Sequence, residues 1–110
     1  LREDGFFQDT FFFPQERTAG PAQFWTQTEA VVGFNVARRV YGEEYQEPLM
    51  ALAHYYMDCF VDEEWGGVHS EIDPNGVIVD RCKGGYWKAD YHSVRMCVDI
   101  IYGDGNWFDG

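Results

Sequence analysis

The sequence predicts a mainly helical fold of helical hairpins with a small β-hairpin between helices, and three observations predict it. Apolar residues recur every three or four positions in three separate stretches. The turn tetrapeptide Asp73-Pro74-Asn75-Gly76 is flanked by short extended runs. Aligning Trp25 with Trp87 gives a weak repeat of about 62 residues, in which extended aromatic sequence leads into a helix. A helix pair with a long connection is a unit that suits a toroid of α-hairpins.

Taken in order, the start of the chain reads GFFQDTFFFPQERTAGPAQ, an aromatic stretch followed by a polar, Gly-Pro-containing segment that resembles a damaged copy of the later hairpin. The first helix is predicted from Thr26 to about Tyr41, with Ala30, Phe34, Ala37 and Tyr41 on one stripe and Gly42 as its stop. A second follows, carrying Leu49, Leu52, Ala53, Tyr56 and Phe60, with Pro48 tolerated only in its first turn. The runs GGVHSEI and GVIVD then flank the turn, where Pro presets φ and Asn-Gly accepts positive φ. Asp90 is expected to cap a short third helix with Val94, Cys97, Val98 and Ile101 on one side. That helix ends near Gly103, before a tail poor in helix formers.

A chain of 110 residues is expected to form one domain over 1–110. At this size a domain buries only about 65% of its extended surface, which leaves a thin margin of stability. Aromatic residues at 18% exceed what a minimal core needs, and the surplus suits platforms for flat, weakly polar ligands such as sugar rings. A net charge of −11 opposes nucleic acid and anionic lipid surfaces as partners. No apolar run approaches the roughly 20 residues that cross a bilayer, and LREDGFFQDT lacks the layout of a signal peptide, so a cytoplasmic protein is expected. Cys59, Cys82 and Cys97 are odd in number and without C-x-x-C spacing. Buried free thiols are therefore expected rather than a disulfide framework or zinc site, and no metal or cofactor. Leu1 at the first position is expected of a chain trimmed at its natural start or cut from something longer.

The segment KGGYWKADYHSVRMC, Lys83 to Cys97, resembles a motif near the C-terminus of the N-acylglucosamine 2-epimerase and cellobiose 2-epimerase family: Lys-Gly-Gly, an aromatic-Trp-Lys, then Tyr-His with Arg three positions on. FWTQTEAVVGF, Phe24 to Phe34, is similar to the family's aromatic-Trp-x-Gln-x-Glu-Ala run. FVDEEWGGVHSEIDPNGVIVD between them resembles its acidic turn and Gly-Gly hairpin. The resemblance reaches from Phe24 to about Ile101. It implies the C-terminal part of an (α/α)6 barrel, a sugar ligand, and a mechanism in which one histidine removes the C2 proton of a ring-opened sugar and another returns it to the opposite face.

His92 matches one of those histidines, and an imidazole ordinarily titrates near enough to neutrality to serve as base or acid. Its alternative is a satisfied core histidine. Arg95, three residues on and hence on the same helical face, is expected to hold sugar oxygens or enediolate charge, with a surface salt bridge as the alternative. Trp87 and Trp25 match sugar-stacking tryptophans, although Trp25 also suits core packing. Glu29 corresponds to a carboxylate at the sugar site, yet Thr26-Gln27-Thr28-Glu29 also reads as a capping box. His54 and His69 fall on no catalytic position of the family and are expected to be structural or exposed.

The family's other catalytic histidine lies on earlier helices that this chain lacks. The chain is therefore expected to be incomplete and inactive alone, with an exposed apolar face that another copy covers. The alternative is a repurposed homo-oligomeric interaction or carbohydrate-binding module without catalysis. A glycoside hydrolase remnant ranks last, because Glu29 is the only acidic residue aligned with a pocket-facing motif and hydrolysis needs two carboxylates.

Overall fold

A computed structural model of the chain describes residues 21–86 and 88–103, together with the backbone of 11–12 and 17–18. In chain order its elements are β1 (Phe11–Phe12), β2 (Arg17–Thr18), β3 (Ala22–Gln23), α1 (Phe24–Tyr41), α2 (Gln46–Cys59), β4 (Glu71–Ile72), β5 (Ile78–Asp80) and α3 (Tyr91–Tyr102), with a 3₁₀ turn at Glu43–Tyr45. The mainly helical fold with a hairpin between the second and third helices is as the sequence predicts. β1 and β2 pair antiparallel in the stretch read as an early hairpin. Trp87 and the tail 104–110 lie outside the described residues.

Gly42 ends α1 at φ 123°, a conformation that side chains rarely adopt, and its N–H donates to the Arg38 carbonyl at 3.1 Å. Pro48 sits in the first turn of α2, where a missing N–H breaks no helical bond. Leu49, Leu52 and Tyr56 form the buried side of that helix and continue into Phe60, which is fully buried. Together with Val31, Val32, Ile72 and Met96 they make one core.

The hairpin forms where expected. Asp73 Oδ1 accepts the N–H groups of Asn75 and Val77, both at 2.8 Å, and Gly76 takes φ 80°. β4 pairs antiparallel with β3 as well as β5, so the hairpin becomes a three-stranded sheet in the order β3-β4-β5. That pairing joins residue 72 to residue 22 and places the sheet at the start of α1.

Four local expectations are corrected. First, α1 buries Phe24, Gln27, Thr28, Val31, Val32 and Asn35, whereas Ala30, Phe34 and Ala37 are half-buried and Tyr41 is exposed. The helix packs against both α2 and α3, so two adjoining faces are covered instead of one stripe. Second, α3 turns Met96 and Asp99 inward, while Val94, Cys97 and Ile101 of the predicted stripe are exposed and only Val98 is half-buried. The inner face carries a buried carboxylate beside Met96, because Asp99 accepts from Asn35 at 2.8 Å and pairs with Arg39 at 3.2 Å. Third, Asp90 holds the N-cap position of α3 in a helical conformation without a side-chain capping bond, and its carbonyl alone accepts, from Val94 N–H at 2.9 Å. Fourth, Cys82 and Cys97 are exposed and only Cys59 is half-buried, because among the described residues nothing packs over the segment after β5 or the outer side of α3. Among the described residues no helix is long and apolar enough to cross a membrane.

Candidate functional site

β3 runs directly into α1, and this continuity decides what Glu29 does. The helix begins at Phe24, with extended Gln23 as its N-cap and no side-chain capping bond. Thr26 therefore lies inside the first turn, where its hydroxyl donates to the Gln23 carbonyl at 2.9 Å. The capping-box alternative is overturned, and the Glu29 carboxylate projects across to α3.

There it meets two cations or potential cations, one with each oxygen. His92 Nδ1 lies 2.9 Å from Oε1, and Arg95 NH1 lies 3.0 Å from Oε2. The spacing of three residues on α3 puts His92 and Arg95 on one face, so a single carboxylate reaches both. A carboxylate can only accept, so Nδ1 donates in this contact, and in the neutral tautomer that fits it Nε2 is the acceptor nitrogen. Arg95 commits one nitrogen to Glu29, and its side chain is 42% exposed.

Aromatic rings frame the imidazole. Phe24 stands edge-on at 6.1 Å between centroids, Trp25 lies tilted at 5.8 Å, and the adjacent Tyr91 is at 4.1 Å. Trp25 is 42% exposed, so it is no core residue; its indole N–H donates to Gln23 Oε1 at 2.7 Å, which sets the plane of the ring. A cleft of about 450 Å³ opens beside it, lined by Phe24, Trp25, Glu71, Asp80, Cys82 and Lys88.

The structure thus brings together four of the five residues singled out from the sequence, His92, Arg95, Glu29 and Trp25, while Trp87 lies outside the described residues. Phe24 and Tyr91 were not singled out, although both stand in the same aromatic runs as Trp25 and His92. His54 is exposed on α2. His69 is buried, and burial pushes its imidazole below the ordinary range, which suits a neutral structural residue.

Two lysines hold the connection that leads to α3. Lys83 donates to Asp62 and, at 2.6 Å, to the Gly66 carbonyl. Lys88 donates to the carbonyls of Val68 and Cys82 and sits 4.8 Å from the centre of the Phe24 ring.

The three helices and the small sheet form a partial toroid of α-hairpins of the kind found in sugar epimerases. In sequence the chain is related to the N-acylglucosamine 2-epimerase and cellobiose 2-epimerase family, and it carries part of that family's (α/α)6 barrel. It is similar to cellobiose 2-epimerase of Bacteroides fragilis, 30% identical over 90 residues, covering 74% of this chain and 21% of the relative. The same enzyme of Ruminococcus albus is 33% identical over 81 residues, covering 71% and 21%. Among solved structures, a sugar epimerase from a ruminal bacterium superposes with a TM-score of 0.81 at 28% identity, over 93% of this chain and 26% of that one. Cellobiose 2-epimerase from Spirochaeta thermophila gives 0.72 at 31%, over 80% and 23%. The chain spans about one fifth of the length of the curated relatives it matches. No family model matches it.

Proposed function

We propose that residues 1–110 form a single partial toroid domain, the C-terminal part of a sugar 2-epimerase or isomerase, carrying one of the two proton-transfer faces such a reaction needs. The observation that supports this most directly is the Glu29 carboxylate shared between His92 and Arg95. In this reading the ligand is the open-chain form of a monosaccharide or disaccharide, with its C2 presented to Nε2 of His92. Arg95 steadies the oxygens on which enediolate charge develops, and Trp25 and Trp87 offer flat faces to the sugar.

Epimerisation needs a proton-transfer group on each side of the enediolate, whereas exchange of the C2 proton needs one base and water. A dry, preorganised enclosure is needed for either, and the cleft beside Trp25 is open. The isolated chain is therefore inactive, and a second histidine must come from another chain segment. Proton NMR in heavy water, on wild type and His92→Asn with mannose, glucose and their N-acetyl forms, tests this. The expected result is no measurable turnover in either protein. Robust epimerisation that depends on His92 refutes the incomplete-site reading by showing that self-association completes the pocket. Exchange equal in both proteins removes His92 from the mechanism.

A second reading, a cytoplasmic homo-oligomeric interaction or carbohydrate-binding module without catalysis, is favoured by the exposed Val94, Cys97 and Ile101 on α3. It keeps the same residues but assigns them no proton transfer.

A further inference from the structure

The imidazole of His92 is held by Glu29 on one side, but α3 itself reaches the site through a connection that has little regular structure. Between β5 and α3 the described backbone makes one isolated pairing, in which Gly85 and Lys88 exchange hydrogen bonds at 3.2 Å. Something must set where α3 begins, because His92 is only its second residue. Lys88 stands three residues before that helix. Its ammonium joins three separate pieces of chain: the Val68 carbonyl shortly before β4, the Cys82 carbonyl just after β5, and the face of Phe24. Phe24 is itself anchored, since its N–H donates to the Ser70 carbonyl at 3.0 Å, and it is buried at the first position of α1 with its ring edge-on to His92.

We propose that Lys88 is a positioning residue for His92, fixing the start of α3 and, through Phe24, the orientation of the imidazole against Glu29. The ammonium is partly buried, and burial pushes it below the ordinary amine range, a cost that an apolar stem of the same length does not carry. Two carbonyl acceptors and an aromatic face offset that cost, and together they define one location for the charge. Lys83 provides an internal comparison. It too ties this connection to the turn at 62–67, through Asp62 and Gly66, but it stands against Gly67 and not against Phe24. A general loss of loop anchoring follows from removing either lysine; a loss of imidazole orientation follows only from removing Lys88. The proposal rests on His92 being the working base of the site.

The test is nitrogen NMR of the histidine rings in the full 110-residue chain, with His92→Asn used to assign the signals. Wild type, Lys88→Met and Lys83→Met are compared, methionine keeping an unbranched stem without the charge. The expected result is that the ratio of Nδ1–H to Nε2–H tautomer at His92 falls about threefold or more in Lys88→Met, the range for a residue acting through a neighbour. In Lys83→Met it is unchanged. An unchanged ratio in a folded Lys88→Met overturns the proposal, as does an equal fall in both lysine variants or a wild type with its hydrogen on Nε2. Should Lys88→Met fail to fold, Phe24→Leu, which retains the ammonium and removes the ring, must show the same fall; an unchanged ratio there overturns the coupling. No sugar enters this measurement, so absence of sugar chemistry bears on the proposed function alone.

Discussion

Asp62 shows how much one short side chain organises when both of its oxygens accept. Its Oδ1 accepts the N–H groups of Glu64 and Trp65, both at 3.0 Å, and its Oδ2 accepts from Lys83. The Lys83 hydrogen bond first, and the backbone donors after it, hold the carboxyl down to about 2, from an ordinary 3.8. A carboxylate lowered on folding contributes stability that is complete above its unfolded value and is lost as pH falls from near 3.8 through about 2. Following the Trp65 amide by NMR during acidification should therefore show its transition near 2, and Asp62→Asn should abolish that transition. A midpoint near the ordinary carboxylate value would show that the Lys83 contact does not hold in solution. Glu29 differs in kind, since its two oxygens face two side chains of another helix and so define relative helix position instead of a local turn.

At the scale of elements, α1 and α3 are joined at both ends by polar contacts: Glu29 with His92 and Arg95 near the start, and Asp99 with Asn35 and Arg39 further along. Asp99 is almost fully buried, and removing it as Asp99→Ala leaves the Asn35 amide and the Arg39 guanidinium facing a void. Breaking a buried pair in this way costs about 3–5 kcal/mol, and because Arg39 retains access to water the expected loss is about 2–3 kcal/mol. Urea denaturation of the variant should register it, and a change below about 0.5 kcal/mol contradicts the assignment. The polar latch also explains what was legible in the sequence. Helix ends at Gly42 and Gly103, the place of Pro48, and the Asp-Pro-Asn-Gly turn depend on a few neighbouring residues, and all of them were readable. Which face of α3 turns inward depends on Asn35 and Arg39, about sixty residues away, and an apolar-inward rule points the wrong way there. Glu29 was ambiguous for the same reason: its local sequence reads as a capping box, and only the continuity of β3 into α1 places it to meet a histidine 63 positions later.

For the molecule as a whole, the outward stripe of α3 is the feature from which solution behaviour is predicted. Val94 is 55% exposed and Ile101 is 71% exposed, with Cys97 exposed between them. Positions 94, 97 and 101 recur at the three-then-four spacing of a helix seam, the pattern by which one helix packs on another. Among the described residues α1 covers the opposite side of α3 and leaves the outer side open to a second neighbour, as every helix in a closed toroid has two. A second copy of the chain can supply it, and the hydrophobic gain grows with apolar area removed from water at about 25 cal/mol per Å². Charge works against it: at −11, two copies repel, and the repulsion weakens as salt shortens the screening length. The expected outcome is a dimer or higher form by light scattering at micromolar concentration, strengthened rather than dissolved by added salt. Association held by ion pairs would show the reverse dependence. The double variant Val94→Asp, Ile101→Asp should be monomeric with its helix content retained, because neither side chain contributes to the core. A compact wild-type monomer, or a double variant that associates as strongly as wild type, shows that this face is not what brings copies together.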